Sequence, residues 1–308
     1  MSTPSVSVVI VSYGTRDLTL AALESVRETK QAVDLEAIVV DNASPDDSAD
    51  AIAREKSWVK LIRSPENRGF AAGANQGARA AQGEWLLFLN SDARLPAGSL
   101  AQLLRIAKEL RTPGAVGPWI QRTDGKPQAS VGHFYGPWRD FVRSFYLDRV
   151  LRRTGLEGLF IPPRRGPVRK VDWVSGACML IRRDTFQSVE GFDEAYFLYV
   201  EDMDLCFRLS KAGWVNYYVP EITVMHELGQ SGSSNNPFPL EGGKAPEYFI
   251  RKFRPGYPIP LQRSLRVIGI LIWMSILQYR ILARHDAEAM RHAGLCRATL
   301  NTLLRTPD

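Results

Sequence analysis

Three acids, Glu201, Asp202 and Asp204, fall within four residues, directly after the aromatic and apolar run Tyr196-Phe-Leu-Tyr-Val200. A carboxylate held in a half-apolar wall becomes a weaker acid and can serve as a general base toward a hydroxyl. The same acids open a helical pattern in which Leu205 and Leu209 share a face and Gly213 supplies a stop. Acids in a first helical turn also complement the helix dipole, with no chemistry attached. Taken alone, the cluster fits both readings.

Positioning such a group takes a scaffold, and the first half of the chain spells one out. Val6–Ser12 is rich in β-branched residues and almost continuously apolar, as a strand covered on both faces is. Thr15 is placed to cap a helix running to about Thr29. A second strand, 35–40, ends in Asp41-Asn-Ala-Ser44, and Ser44-Pro-Asp-Asp47 predicts a helix start with Ser44 as its cap. A short strand at 59–62 leads to Asn67-Arg-Gly-Phe-Ala-Ala-Gly-Ala-Asn75 and another helix. The fourth strand, 84–89, terminates at Asn90-Ser-Asp92.

This alternation predicts an α/β fold with a mostly parallel central sheet and helices on both faces. Ligands of such sheets bind beyond the carboxyl ends of the strands, where Tyr13, Asp41 and Asp92 all fall. Asp41 can equally be a turn residue, and Asp92 a cap. Gly69, Gly73 and Gly77 form a stripe suited to close helix packing on the sheet. Their spacing matches neither the dinucleotide fingerprint nor a Walker loop.

Further on, 99–110 reads as a helix and 115–120 as a strand. From 121 to 170 the pattern weakens, and 149–170 is strongly basic: a solvated insertion, or a surface for an acceptor or anionic headgroups. Val171–Ile181 reads as one strand with Gly176 in its middle, where a ligand or another backbone comes close. A short strand, 214–219, precedes Val-Met-His226. Later come a short helix at 246–253 and the apolar run 265–279, bracketed by Arg266 and Arg280. That run is shorter than the ~20 residues a spanning helix needs. It predicts a helix packed on the catalytic domain or lying in a membrane surface with Trp273 and Tyr279 at the interface. The division is then 1–230 for the catalytic domain and 231–308 for a C-terminal helical extension.

With 45% hydrophobic and 23% charged residues the chain is neither disordered nor wholly membrane-embedded. Its net charge of +6 suits an anionic ligand or membrane surface, and no feature asks for nucleic acid. Cys178, Cys206 and Cys296 lack metal-ligand spacing, and Cys178 and Cys206, in apolar contexts, read as reduced core thiols. The first residues have no basic targeting region, so a cytoplasmic chain is expected, peripheral on the inner face of the cell membrane.

Val-Ile-Val-Ser12-Tyr13, Val-Val-Asp41-Asn-Ala-Ser, Asn67-Arg-Gly69-Phe-Ala-Ala-Gly-Ala-Asn75 and Phe-Leu-Asn90-Ser91-Asp92, in that order, resemble the successive motifs of family 2 glycosyltransferases, most closely the bacterial rhamnosyltransferase-like branch. The resemblance implies the GT-A (nucleotide-diphospho-sugar transferase) fold, a nucleotide-sugar donor and a divalent cation, Mg or Mn. It implies that Ser12, Tyr13, Asp41, Asn67, Gly69 and Asn75 lie at the donor, with Asp41 on the base or ribose. Asn90 and Ser91 follow suit, and Asp92 is the one acid left of the family's Asp-x-Asp metal motif.

Gly176 and Ala177 resemble the pair near the donor sugar, and His226 in His-Glu-Leu-Gly229-Gln-Ser231 resembles the family's metal-side histidine. A structural histidine is the alternative. Glu201-Asp202 resembles the family's Glu-Asp motif, which makes Asp202 the catalytic base and Glu201 its support. The implied reaction is inverting transfer of a sugar, rhamnose from dTDP-rhamnose as first choice, to a hydroxyl of a cell-surface glycan or polyprenyl-linked acceptor. The alternatives are a UDP- or GDP-sugar donor, or a binding protein without catalysis. A nucleotidyltransferase would carry a Gly-rich loop after the first strand, and Tyr13-Gly-Thr-Arg16 is not one.

Overall fold

The computed structural model describes residues 4–30, 32–125, 127–128, 130–136, 145, 166–227, 238–284 and 287–305. Residues 149–165 of the basic segment, Gly229, Ser231 and the division at 230/231 lie outside the described residues. The chain forms two compact units. One comprises Met1–Phe134, Ile161–Phe197 and Glu201–Asn235; the other comprises Tyr135–Phe160, Leu198–Val200 and Asn236–Asp308.

In the first unit β1 (Val6–Ser12), α1 (Arg16–Thr29), β2 (Leu35–Asp41), α2 (Ser48–Glu55), β3 (Val59–Arg63), α3 (Gly69–Ala80) and β4 (Trp85–Leu89) alternate as expected. Then follow β5 (Ala93–Arg94), α4 (Ser99–Glu109), β6 (Pro113–Arg122), β7 (Pro127–Gln128), β8 (Val131–Gly132), β9 (Arg169–Val171) and β10 (Trp173–Val174). β11 (Cys178–Arg182), α5 (Arg183–Ser188), α6 (Glu201–Lys211) and β12 (Val215–His226) complete it.

The sheet runs β3-β2-β1-β4-β11-β6-β12-β5. Its first four strands are parallel, while β11 lies antiparallel between β4 and β6, so the second half is mixed where a mostly parallel sheet was expected. Side chains alternate between two cores, as the period of two dictates. Val6, Val8 and Ile10 of β1, with Leu87 of β4 and Leu180 of β11, meet Leu23 of α1 and Leu103 of α4. Val9, Phe88 and Met179 face the opposite side, against Ala74 of α3 and Leu205 of α6. The glycine stripe of α3 serves this contact: a Cβ on Gly77 would lie 2.4 Å from Val9 Cγ1, and one on Gly73 would lie 2.9 Å from Val11 Cγ1.

Four local expectations change. Helix α2 starts at Ser48, not after Ser44, because Asp46 Oδ1 accepts the Ser48 N–H at 3.2 Å. Ser44 Oγ instead accepts the Gly14 N–H, tying the β1 and β2 loops together. Thr15 holds the cap position of α1 without a capping bond, since its hydroxyl donates to Ser91 Oγ at 3.0 Å. Val171–Ile181 is no single strand: β9, β10 and β11 are separate, with Ser175–Ala177 as the break. The strand expected at 214–219 runs on to His226, with register shifts against β6 between Val215 and Tyr217 and between Val219 and Thr223.

The second unit contains α7 (Phe238–Phe253), α8 (Ile259–Arg284) and α9 (Ala287–Arg305), so the two later helices outrun the sequence reading. Ile270 and Leu277 of α8 pack on Cys296 and Leu303 of α9, with Trp273 partly buried among them. The other side of α8 leaves Ile268, Ile272, Ile276 and Tyr279 exposed. Among the described residues α8 is the one helix long and apolar enough to cross a membrane by length and composition.

Candidate active site

The strand ends of the first unit carry Asp41, Asp92 and His226, of which the last two meet, and the Gly176 segment links Asp202 to the Asp92 turn. Asp41 closes β2 and is 5% exposed; its Oδ2 accepts the Ser44 N–H at 3.2 Å, while Oδ1 is buried with no hydrogen-bond partner. An orphaned carboxylate oxygen at this rim can take a donor group from a ligand, since leaving it unpaired is costly. Tyr13, at the end of β1, is 38% exposed.

The Asn90-Ser91-Asp92 turn is carried to His226 by the short pairing of β5 with the end of β12. The Glu227 N–H also donates to the Asp92 carbonyl at 2.9 Å. His226 Nδ1 stands 2.7 Å from Gln128 Oε1. An amide oxygen only accepts, so Nδ1 carries the proton and the other ring nitrogen is turned to the site. There Nε2 lies 3.1 Å from Asn90 Nδ2 and 2.9 Å from Asp92 Oδ1. Asp92 Oδ1 nevertheless has no hydrogen-bond partner. The carboxylate oxygen and the imidazole nitrogen converge at ion-pair distance, bonded if Nε2 also carries a proton and otherwise two lone pairs that fit a shared electrophile. Among the described residues no group of three or more His, Cys, Asp or Glu could hold a metal. Asp92 and His226 form a pair only, short of such a group.

Asp202 stands in the first turn of α6, which the backbone enters through two left-handed residues, Tyr199 (φ 70) and Val200 (φ 72). The Gly176 N–H donates to its Oδ2 at 3.0 Å, and the Met203 N–H to its Oδ1 at 2.7 Å. Gly176 leaves room for this approach: a Cβ there would touch the Phe70 ring at 3.5 Å and Asp202 Cβ at 3.7 Å. Burial raises the Asp202 pKa above the ordinary aspartate value, and the two N–H bonds restrain the rise. Glu201, 6% exposed and with Oε2 unpartnered, is pushed well above the ordinary glutamate value by burial first and then by the charge of Asp202. Of the pair, Glu201 keeps its proton longer and Asp202 is the one available to accept one.

The break between β10 and β11 joins these parts. Ala177, next to Gly176, accepts the Asn90 N–H on its carbonyl at 3.1 Å, so one short segment contacts Asp202 on one side and the Asp92 turn on the other. Asp204 is apart from this chemistry. It is fully buried, accepts from Tyr196 Oη at 3.2 Å and pairs with Arg208 Nε at 2.5 Å.

Other residues expected at the donor make hydrogen bonds within the fold. Ser12 is fully buried with its hydroxyl 2.9 Å from Thr19 Oγ1, and Ser91 is 3% exposed beneath Thr15. Asn67 Oδ1 accepts from Asn42 Nδ2 at 2.8 Å and from the Gly69 N–H at 3.0 Å. Sequence reasoning missed Gln128, which sits in a weakly patterned stretch where nothing marks it. It also missed Asn42, which lies beside Asp41 in a quoted motif but has no distinctive type.

A family model described as "Glycosyl transferase family 2" matches residues 7–189. N-acetylglucosaminyl-diphospho-decaprenol L-rhamnosyltransferase of Mycobacterium tuberculosis is 32% identical over 206 residues, 63% of this chain and 67% of the relative. Rhamnosyltransferase WbbL of Escherichia coli (strain K12) is 33% identical over 150 residues, 48% of this chain and 54% of that protein. Among solved structures, the mannosyltransferase PcManGT from Pyrobaculum calidifontis, in complex with GDP-Man and Mn2+, superposes with a TM-score of 0.60 at 17% identity, covering 99% of this chain and 87% of that one. GalNAc-T7 with UDP, GalNAc and Mn2+ gives 0.59 at 18% identity, over 80% of this chain and 48% of that one. The fold is GT-A, as the motif resemblance implied.

Proposed function

Because the chain belongs to glycosyl transferase family 2, and is therefore a glycosyltransferase, we propose that it moves L-rhamnose from a dTDP donor, with inversion, to a hydroxyl of a lipid-linked glycan. The observation that carries the mechanism is the Asp202 carboxylate, pinned by the Gly176 N–H and bordered by a buried Glu201. Asp202 accepts the acceptor hydroxyl's proton as that oxygen attacks the anomeric carbon, and the sugar–phosphate bond breaks on the opposite side. The choice of rhamnose is supported by the names of both relatives, at 32% and 33% identity, and that of a polyprenyl-linked acceptor by the name of the first alone.

Asp92 and His226 are the residues that would hold a divalent cation, and the unpartnered Asp92 oxygen fits that assignment. When bound, such a cation neutralises charge on a departing diphosphate, and Mn suits the imidazole ligand better than Mg. Asp41, with its free Oδ1, meets the nucleoside.

Charge is partitioned between the two parts of the chain. Residues 1–235 hold 28 basic and 28 acidic residues, whereas residues 236–308 hold 11 and 5, so the whole excess of +6 lies in the C-terminal part. The sequence of α8 contains four arginines and no acid, and the helix exposes Ile268, Ile272 and Ile276. This favours in-plane attachment to an anionic membrane surface, where a lipid-linked acceptor resides.

Purified chain assayed with dTDP-rhamnose, UDP- and GDP-sugars, Mn2+ and a membrane extract identifies the donor. Asp202→Asn is expected to abolish transfer with donor binding intact, and Asp92→Ala to weaken Mn-dependent donor binding. Equal loss of binding in both variants refutes this division of roles.

A further inference from the structure

Within the Asn67–Asn75 motif, which the resemblance assigns to the donor, Asn75 has polar partners inside the fold. Asn75 is 7% exposed, and both hydrogens of its amide are used: Nδ2 donates to the Phe192 carbonyl at 2.8 Å and to Glu194 Oε1 at 3.0 Å. Its Oδ1 accepts the Phe192 N–H at 2.9 Å, so one side chain reads both polar groups of a single buried residue's backbone. Five residues on, the Phe70 N–H donates to the Phe197 carbonyl at 2.8 Å. Gly69 (φ 83) permits this approach, since a Cβ there would lie 2.1 Å from the Phe197 oxygen. Gly191 (φ 69) does the same at the loop's other end, where a Cβ would lie 2.7 Å from Asn75 Oδ1. Arg68 adds a bond to Glu194 Oε2 at 3.1 Å.

The loop held in this way is tied to α6 as well. Tyr196 bonds Asp204, and Arg208 Nη1 donates to the Val189 carbonyl. Phe70, in the first turn of α3, packs edge-on against Phe192 at 5.8 Å between centroids and lies beside Asp202 across Gly176. The stretch 189–197 is therefore strung between α3 and the helix that bears the base.

We infer that Asn75, supported by Gly69 and Glu194, is a positioning residue for catalysis: it clamps the Gly191–Phe197 loop and thereby sets where α6 presents Asp202, and it does not bind the donor. The inference rests on the reading of Asp202 as the base. A misplacement of about 1 Å at such a group costs up to ~100-fold in rate.

The test uses the full chain and three variants, Asn75→Ala, Glu194→Ala and Asp202→Asn. The readouts are kcat, the pH profile of kcat, dTDP affinity with MnCl2 by calorimetry, and amide exchange. Asn75→Ala is expected to lower kcat by about 10- to 100-fold. Its dTDP affinity should stay within about twofold, the error expected for a site that loses no contact. The amides of Phe70 and Phe192 should exchange faster. The acid limb of its kcat profile should move to higher pH, because a loosened α6 gives up the Gly176 N–H that restrains Asp202. Glu194, with its side chain 31% exposed, is a milder site than buried Asn75; Glu194→Ala should show the same pattern in weaker form and decides the matter if Asn75→Ala fails to fold. Unchanged kcat and exchange in Glu194→Ala and any folded Asn75→Ala, or a tenfold loss of dTDP affinity with kcat intact, overturns the clamp. Wild-type transfer by Asp202→Asn overturns the base reading alone, and the exchange and affinity results then still judge the clamp.

Discussion

Glu201→Gln separates the two neighbouring carboxyl groups by their protons. Glu201 is 6% exposed and its Oε2 has no partner; burial, then the Asp202 charge, puts its pKa well above 4.5. The native state therefore binds this proton more tightly than the unfolded chain does. Between pH 4.5 and the raised native value, stability falls as pH rises, by up to about 1.4 kcal/mol per pH unit for one proton. For a unit of roughly 200 residues that corresponds to a fall in Tm of about 3–6 °C per pH unit. Glutamine keeps the shape and cannot ionise, so the variant should lose this component of the slope and melt higher than the parent at neutral pH. Calorimetric melting of both proteins in steps from pH 4.5 to pH 8 measures the difference, in which groups not coupled to Glu201 cancel and the Asp202 contribution is included. In the same preparation transfer should survive within about tenfold if, as proposed, the neighbour is the proton acceptor, whereas Asp202→Asn should lose about 10²–10⁴-fold. Parallel Tm profiles, or a loss of transfer as deep as that of Asp202→Asn, refute the assignment of the tightly held proton to Glu201.

Gln128→Ala removes the acceptor that fixes the His226 tautomer, and second-sphere losses of this kind cost 10- to 100-fold in metal affinity. Titration of Mn2+ into the dTDP-saturated chain should show that loss with melting behaviour unchanged; an unaltered affinity would detach Gln128 from the site. Flotation with phosphatidylglycerol vesicles should carry the intact chain upward, and vesicles of phosphatidylcholine alone should not. Replacing Ile268, Ile272 and Ile276 of α8 by Ser should abolish flotation, and a parent chain that stays in the soluble fraction removes the membrane reading.

The alternating half of the sheet was readable because its period and its buried strands are local properties: β1, β2 and β4 fall within a residue of their expected ends. Asp41 and Asp92 were singled out by the same logic, as polar residues at strand termini. What failed was settled by partners distant in sequence. Ser44 has every local mark of a cap, yet its hydroxyl is spent on Gly14, thirty residues away. The Val171–Ile181 run looks like one strand because composition is blind to which neighbour each part pairs with; β9 joins β12, β10 joins β8 and β11 joins β4. Asn75 illustrates the same limit in the site. Its residue type announces hydrogen bonding, but its partner at Phe192 lies 117 residues on, and only the fold distinguishes a loop clamp from a donor contact. Gln128 carried no signal at all.

The irregularity in β12 has a consequence for how this chain can vary. Val219 pairs with Pro118 and Thr223 with Trp119, so three residues, Pro220, Glu221 and Ile222, stand opposite no partner. An odd insertion reverses the face that later residues of a strand present. His226 therefore meets Asp92 by virtue of a count. Loss or gain of one residue between Val219 and Thr223 would turn the imidazole to the far side of the sheet, while paired changes would keep its face. The spacing here is heritable as a parity, and an insertion far from any reacting atom can silence the site without altering one of its residues.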